Sequence, residues 1–564
     1  MQDSYLCEMN TKKNLIIYIG LCLLFCVPAT AQISHGGRPL PFVLSTTKSA
    51  SEELFEQMPE FDLREQLRLD SLETTGLRNG FRFAYKFMTD YTPDNSGIRF
   101  TLPDGTRVWR LGIRSEGALS LNVLFSRYHL PEGARLFLYN RDQTEILGSF
   151  THLNNSDTEI LPIAPIPGDE LIIEYQEPAH AAFPGKLAVG EVNHGYRHFR
   201  TYTPKPESPQ YQCIPAVACY QDTTERYNDI ERSVVLLVIN GTTGCTGILL
   251  NNSAGDGRPY ILTASHCLNE KFQLKNPDYV KIADNIVCYF NYNSPQCSPV
   301  EPGPVDQTVS SAYSRAVNEK TDMALIELKQ RPPMDYAVYY AGWNAVDAGN
   351  PPYACIHHPA GTPKRITVTE SEPKLVTFPT IDFDKDAHWK IGPWKSGFTA
   401  GGSSGSPLFD GNNRVIGGLT GGDNNYPTCQ SPGSDLFFAI QKCWSSPRDS
   451  SRQLQCWLDP VGLPSPVCEG MDPNRSITAN DPVQAITPSE VELSVDSRRQ
   501  MIRIGFTVPV NEASLTLIAL DGKIIGYYPI NSQQAIIEGI DIPSGVYIAK
   551  IVYNNNLYTR KLLF

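Results

Sequence analysis

Several things are scarce in this sequence, and each scarcity excludes something. Positive charge is in deficit: 48 Lys and Arg face 60 Asp and Glu, a formal net charge of -12. No bulk field exists for neutralising phosphates, which argues against nucleic acid as a partner. Long apolar runs are missing too. The longest near the start, Leu15 to Val27, spans about 13 residues where a membrane-crossing helix needs about 20. Cysteine is absent from residues 27–212 and from 469 onward. No fixed-period repeat and no low-complexity tract is found. What is present is a chain 41% hydrophobic and 19% charged, a globular composition. Its 44 prolines and 42 glycines punctuate many short apolar runs, which predicts a mostly β protein. At about 100 to 200 residues per domain the length allows three or four folded units.

The order of those units follows from local signals. Lys12 and Lys13, the apolar run and Ala29-Thr30-Ala31 read as a signal peptide over 1–31. Phe25 before Cys26 argues against lipid attachment there. Residues 32–205 carry alternating runs such as Arg107 to Leu111 and Arg135 to Tyr139, separated by Gly-containing turns, and predict a cysteine-free β-sandwich. The prolines of Thr203 to Pro209 mark an extended linker. Residues 206–470 hold the eleven cysteines outside the signal. Export permits disulfides, and eleven is odd, so at least one thiol has no partner within the chain. A polar linker over 471–490 leads to a strand-rich unit over 491–564, with a hairpin predicted about Asp521-Gly522.

Three stretches carry chemistry. Ile261 to Cys267 is a strand ending in small residues, then His266 beside Cys267; Cys245 is a natural partner, and a Cys245–Cys267 bridge would fix the backbone next to the imidazole. Thr321 to Leu328 puts Asp322 at the mouth of an apolar strand, where desolvation strengthens a bond to imidazole. Gly401 to Phe409 presents Ser404 on a glycine-rich turn able to aim two N–H groups at one oxygen. No acid or cysteine spacing near His357 and His358 completes a metal site, and they read as structural. No metal or cofactor is called for.

TASHC, DMALIEL and GGSSGSP, in that order, resemble the His, Asp and Ser signatures of chymotrypsin-like serine proteases over residues 213 to about 460. The resemblance implies a double β-barrel, with His266 as general base and acid, Asp322 holding its tautomer, Ser404 as nucleophile, and the Gly402 and Ser404 N–H groups as oxyanion hole. Cys213 and Cys219, the segment Ile356 to Pro359 and Trp457 to Pro460 are similar to secreted bacterial lysyl endopeptidases. That likeness implies Cys213–Cys429 and Cys219–Cys297 bridges. It also makes Asp435 the acid that receives a substrate ammonium, with Thr420, Gly421 and Gly422 as the pocket wall. A trypsin-type pocket acid is lacking, since Phe398 stands at its place, and Ser403 replaces the aspartate that anchors a trypsin-type new N-terminus. Latency must then come from elsewhere, and residues 32–205 read as a covering propeptide removed in the linker, or else a retained binding module. Trp389 and Trp394 are either pocket lining or core.

The final unit is similar to type IX secretion sorting domains in its GVYIAKI strand and Lys-aliphatic end, or is a plain immunoglobulin-like appendage. The expectation is a monomeric serine endopeptidase, secreted or at the cell surface, that meets the type IX secretion machinery and cuts protein or peptide substrates after lysine, with arginine a further option. A serine protease of other specificity, or a surface adhesin with a degenerate protease domain, stays open.

Overall fold

The computed structural model describes residues 34–41, 54–71, 76–198, 213–221, 225–297, 303–424 and 427–474, and in the C-terminal part 491–496, 501–506, 513–519, 524–530, 532–537, 545–553 and 556–563. The expected signal peptide, the Thr203–Pro209 linker and residues 475–490 of the expected 471–490 linker lie outside the described residues. The chain divides into two compact units, one essentially up to Pro473 and one from Asn474 to Phe564.

The first unit opens with two stacked sheets. One orders Phe55–Gln57, Arg107–Arg114, Glu170–Glu177, Arg135–Tyr139 and Ile146–Phe150, with Ile98–Thr101 also on Arg107–Arg114. The other orders Ile166–Pro167, Ser120–His129, Lys186–Gly195 and Ala84–Tyr91, with Leu161–Pro162 on Ser120–His129. Trp109, Leu111 and Ile113 from one sheet meet Leu121, Val123 and Phe125 from the other in a common core. This is the sandwich that the alternating runs predict.

Two further sheets follow, as the double-barrel expectation requires. The first orders Thr308–Ser310, Ile286–Tyr289, Val234–Ile239, Thr243–Leu250, Tyr260–Ala264, Met323–Leu328 and Ala312–Asn318. The second orders Arg365–Thr369, Tyr353–His357, Pro407–Phe409, Val415–Gly422, Asp435–Ala439, His388–Ile391 and Lys374–Val376. Val234 to Ile239 is apolar at every position because both faces are covered. Val235, Leu237 and Ile239 face the barrel core, whereas Leu236 and Val238 cluster with Phe83, Ala84 and Ala164 of the sandwich.

The sequence boundary near residue 205 therefore does not separate compact units. Phe81–Arg82 leaves the sandwich altogether and pairs antiparallel with Thr243–Gly244, adding a strand to the first barrel sheet. Three disulfides close the domain, Cys213–Cys429, Cys219–Cys297 and Cys245–Cys267, the pairings expected. Cys288, Cys355 and Cys443 are buried thiols outside these bridges, each with its pKa pushed up by burial.

In the C-terminal unit Val491–Asp496, Met501–Phe506 and Gln534–Ile537 form one sheet, and Ile524–Ile530, Ala513–Ala519, Val546–Tyr553 and Asn556–Leu563 another. Ala513–Ala519 and Ile524–Ile530 are the expected hairpin, although Asp521 and Gly522 lie outside the described residues. Leu493, Ile502, Leu515, Leu517 and Ile551 share its small core.

Candidate active site

The site lies where the two barrel sheets face each other, and each of its side chains is placed by a strand end. Tyr260–Ala264 runs into a short helix, Ser265–Leu268, which carries His266. Ala264 is in register with Met323 on the neighbouring strand, so Asp322, the residue before that strand, lies beside His266. The Ser265 N–H donates to the Asp322 carbonyl at 2.9 Å. Asp322 has φ 67°, a left-handed conformation that aspartate tolerates better than most residues. Its Oδ1 accepts from the His266 backbone N–H at 2.9 Å and from Ser265 Oγ at 3.1 Å; its Oδ2 lies 2.8 Å from His266 Nδ1. The far ring nitrogen, Nε2, is 2.8 Å from Ser404 Oγ.

Ser404 sits on a turn that only glycine allows. Gly402 and Gly405 have φ of +90° and +79°, and a Cβ on Gly405 would come within 2.1 Å of Thr263 Oγ1. The turn is tied to the first barrel by Thr246, whose N–H donates to the Ser404 carbonyl at 2.9 Å and whose hydroxyl donates to the Gly402 carbonyl at 2.9 Å. Burial alone would pull the His266 pKa down, but the Asp322 carboxylate and its hydrogen bond outweigh it, and the net direction is upward from 6.5. The three groups form a connected path from hydroxyl to imidazole to carboxylate, all in the interior.

Asp435, the first residue of strand Asp435–Ala439, is fully buried rather than solvated. Its Oδ2 accepts from Trp394 Nε1 at 2.6 Å and Thr399 Oγ1 at 2.8 Å, so Trp394 belongs to the pocket. Trp389 instead donates to the Ile416 carbonyl within the core. Asp435 Oδ1 faces the guanidinium of Arg78, with Nη2 at 3.1 Å. Gly421 and Gly422 line the approach, since a Cβ on Gly422 would lie 2.4 Å from Arg78 Nη2 and 2.6 Å from Asp435 Oδ1. The Thr420 carbonyl accepts from the Arg78 N–H at 3.0 Å, and the Gly422 N–H donates to the Gly76 carbonyl at 2.9 Å. The Gly402 N–H, expected in the oxyanion hole, donates to the Asn79 carbonyl at 2.9 Å.

The structure therefore brings together every residue singled out in the sequence: His266, Asp322, Ser404, Gly402, Thr420, Gly421, Gly422 and Asp435. Ser403 and His357 form a separate buried pair, Ser403 Oγ lying 2.7 Å from His357 Nδ1, and His358 Nδ1 lies 2.9 Å from the Thr362 carbonyl. Burial pushes both imidazoles down to about 3, so they are neutral structural groups. Among the described residues no cluster of histidine, cysteine and acids is arranged to hold a metal ion.

Residues 210–438 match the family described as lysyl endopeptidase, C-terminal domain. This part of the chain is a lysyl endopeptidase-like domain. The chain is also 28% identical over 365 residues to a lysyl endopeptidase of Pseudomonas aeruginosa, covering 59% of this chain and 73% of that protein. Among solved structures it is similar to the inactive form of the Rv3671c protease of M. tuberculosis H37Rv, at 15% identity and a TM-score of 0.25 over 40% of this chain and 91% of that one. A Glu endopeptidase aligns at 13% identity and a TM-score of 0.26 over 38% of this chain and 88% of its own. Those two scores are too low to carry an argument. The sequence relationship alone gives the lysyl endopeptidase-like domain a serine protease-like function. Missed in the sequence were Arg78, which lies against Asp435, and Thr399 and Asn424, which accept from its guanidinium. The signal for Arg78 was faint: one arginine between Gly76 and Gly80, 132 residues before the first residue of the family match.

Proposed function

We propose that the chain is the precursor of a secreted serine endopeptidase that cuts peptide bonds after a basic residue, lysine being what the family likeness favours. The observation that carries this reading is the unbroken contact path Ser404 Oγ, His266 Nε2, His266 Nδ1, Asp322 Oδ2, with 2.8 Å at both links. His266 takes the Ser404 proton as the hydroxyl attacks the carbonyl, and later gives it to the leaving amine. Asp322 keeps the Nδ1 proton in place and stabilises the imidazolium. The oxyanion is received by the Gly402 and Ser404 N–H groups, an interaction type worth about 3 to 4 kcal/mol per donor. Water then resolves the acyl-enzyme by the same steps reversed. Asp435 sits where a cationic P1 side chain would end, and its burial makes an unpaired state costly, which favours a cation there.

The N-terminal sandwich acts in this reading as a propeptide released by cleavage in the 203–209 linker, and the C-terminal unit as the address for type IX secretion. Paired lysyl and arginyl chromogenic peptides test the central claim. The processed protein should hydrolyse at least one of them, and Ser404→Ala should lose at least about 1,000-fold in kcat. Hydrolysis surviving at the original rate in Ser404→Ala overturns the reading.

A further inference from the structure

Ser404 is fully buried and His266 is 1% exposed, which is no state in which a protease can meet a substrate. The cover is a stretch of the chain itself. Gly76 to Asn79 lies antiparallel against Thr420 to Gly422, through the two bonds already described and an antiparallel bridge of Leu77 with Gly421. This is strand addition to an open sheet edge, a common way for a groove to hold a peptide backbone. Side chains alternate along it. Leu77 packs with Phe378, Phe383 and Leu436, and Arg78 enters the Asp435 pocket.

The fork of Arg78 is matched on each of its arms. Nη2 meets Asp435 Oδ1 at 3.1 Å, Nε donates to Thr399 Oγ1 at 2.9 Å, and Nη1 donates to the Asn424 carbonyl at 2.8 Å. A carboxylate, a hydroxyl and a carbonyl thus surround a planar cation from three directions. A lysine carries all its donors on one nitrogen and cannot reach three acceptors spaced for a guanidinium.

Seated this way, the segment does not present its bond for attack. The Arg78 carbonyl oxygen lies 3.1 Å from His266 Nε2, on the imidazole side, while the Gly402 N–H is occupied by the next carbonyl, that of Asn79. A carbonyl beside Nε2 favours the protonated ring, which cannot accept the Ser404 proton. The segment is held at its far end by Phe81–Arg82 in the first barrel sheet and by Arg82, which pairs with Glu270 at 2.7 Å and Asp70 at 3.5 Å.

We propose that Gly76–Asn79 is a built-in pseudosubstrate that blocks the cleft with Arg78 in the P1 pocket, and that the pocket it fills selects arginine over lysine, with an apolar residue preferred just before it. This deepens the endopeptidase reading and rests on it.

The test uses the intact full-length chain, its integrity checked by mass, as wild type, Arg78→Ala and Arg78→Lys. A fluorophosphonate probe reports access to Ser404, and Leu-Arg and Leu-Lys anilides report selectivity. Arg78→Ala should label at least about 10-fold faster than wild type, because three charge-assisted contacts are removed. Unblocked, it should favour the arginyl substrate by about 10-fold or more in kcat/KM. If Arg78→Ala does not fold, Arg78→Lys keeps a cation in the pocket and should still label about 3-fold faster. Equal labelling of wild type and the folded variant overturns the pseudosubstrate. Faster labelling joined to a lysyl preference overturns the arginine assignment while leaving Ser404 as nucleophile. A folded, unblocked chain that neither labels nor cleaves any basic peptide overturns the endopeptidase reading itself.

Discussion

Asp322 and Asp435 are both fully buried in this domain, and they are satisfied in opposite ways. Asp322 finds its partners in Ser265 and His266, at the start of the short helix that follows the neighbouring strand. The relay is complete within the lysyl endopeptidase-like domain. Asp435 has one oxygen bound by Trp394 and Thr399, but the other meets only a cation brought from the N-terminal region, Arg78. Burial pushes its pKa up, and Arg78 is the charge that opposes this. In the proposed function a carboxylate finished by its own domain serves turnover, whereas one completed by a cation from outside serves recognition. Removing the first should damage turnover, and removing the second should damage choice of substrate.

The sharpest way to break that distinction is Asp322→Asn. It keeps the shape but not the charge, and the imidazole is no longer held with its proton on Nδ1, so kcat should fall by about 10,000-fold with KM little changed. A main effect on KM would mean that Asp322 is not acting through His266. The pH profile of the unblocked enzyme gives a second view. In the covered chain the His266 pKa is raised, burial lowering it and Asp322 and the Arg78 carbonyl more than compensating; unblocking removes the Arg78 bond but also relieves the burial, and leaves Asp322 in place. The ring must be neutral to accept a proton, so activity falls as pH drops through a value above 6.5, and an acidic limb below 6.5 would contradict the geometry. Asp435→Asn comes next. Breaking a buried charge pair costs about 3 to 5 kcal/mol, or about 100- to 4,000-fold in kcat/KM for basic peptides. Hydrolysis of a peptide with an uncharged P1 residue should change far less, and an equal loss on both would merge the pocket with the relay.

The relay was legible in the sequence because its parts are local. A strand ending at His266, an acid opening an apolar strand and a glycine-rich turn at Ser404 each have a pattern that a short window reveals. The sandwich and the C-terminal sheets were legible for the same reason, through alternation and turn residues. The content of the pocket was not. Arg78 meets Asp435 across 357 residues, and no periodicity encodes that pairing. The apolar run Val234 to Ile239 did hint at a covered outer face, since a half-exposed strand would alternate, but not at what covers it. Likewise, two of the disulfides were accessible only through family likeness, because spacing does not determine connectivity.

Smaller effects test how far the relay's frame extends beyond its three residues. Replacing Cys245 and Cys267 by serine opens the clamp next to His266, and should cost roughly 3 kcal/mol of stability in the chain-entropy account. Ser403→Ala is the mildest change. The hydroxyl accepts from the Ala400 N–H at 3.1 Å and shares a proton with His357 Nδ1 at 2.7 Å, so it joins the turn of Ser404 to the strand Tyr353–His357. With the hydroxyl gone, a fully buried, neutral imidazole loses its partner on that nitrogen, at a cost of about 1 to 3 kcal/mol. A urea melt should show it as a lower midpoint at unchanged slope. An unchanged midpoint would mean that the histidine had found another partner, and that Ser403 fills the place of the missing aspartate without bracing the nucleophile's turn.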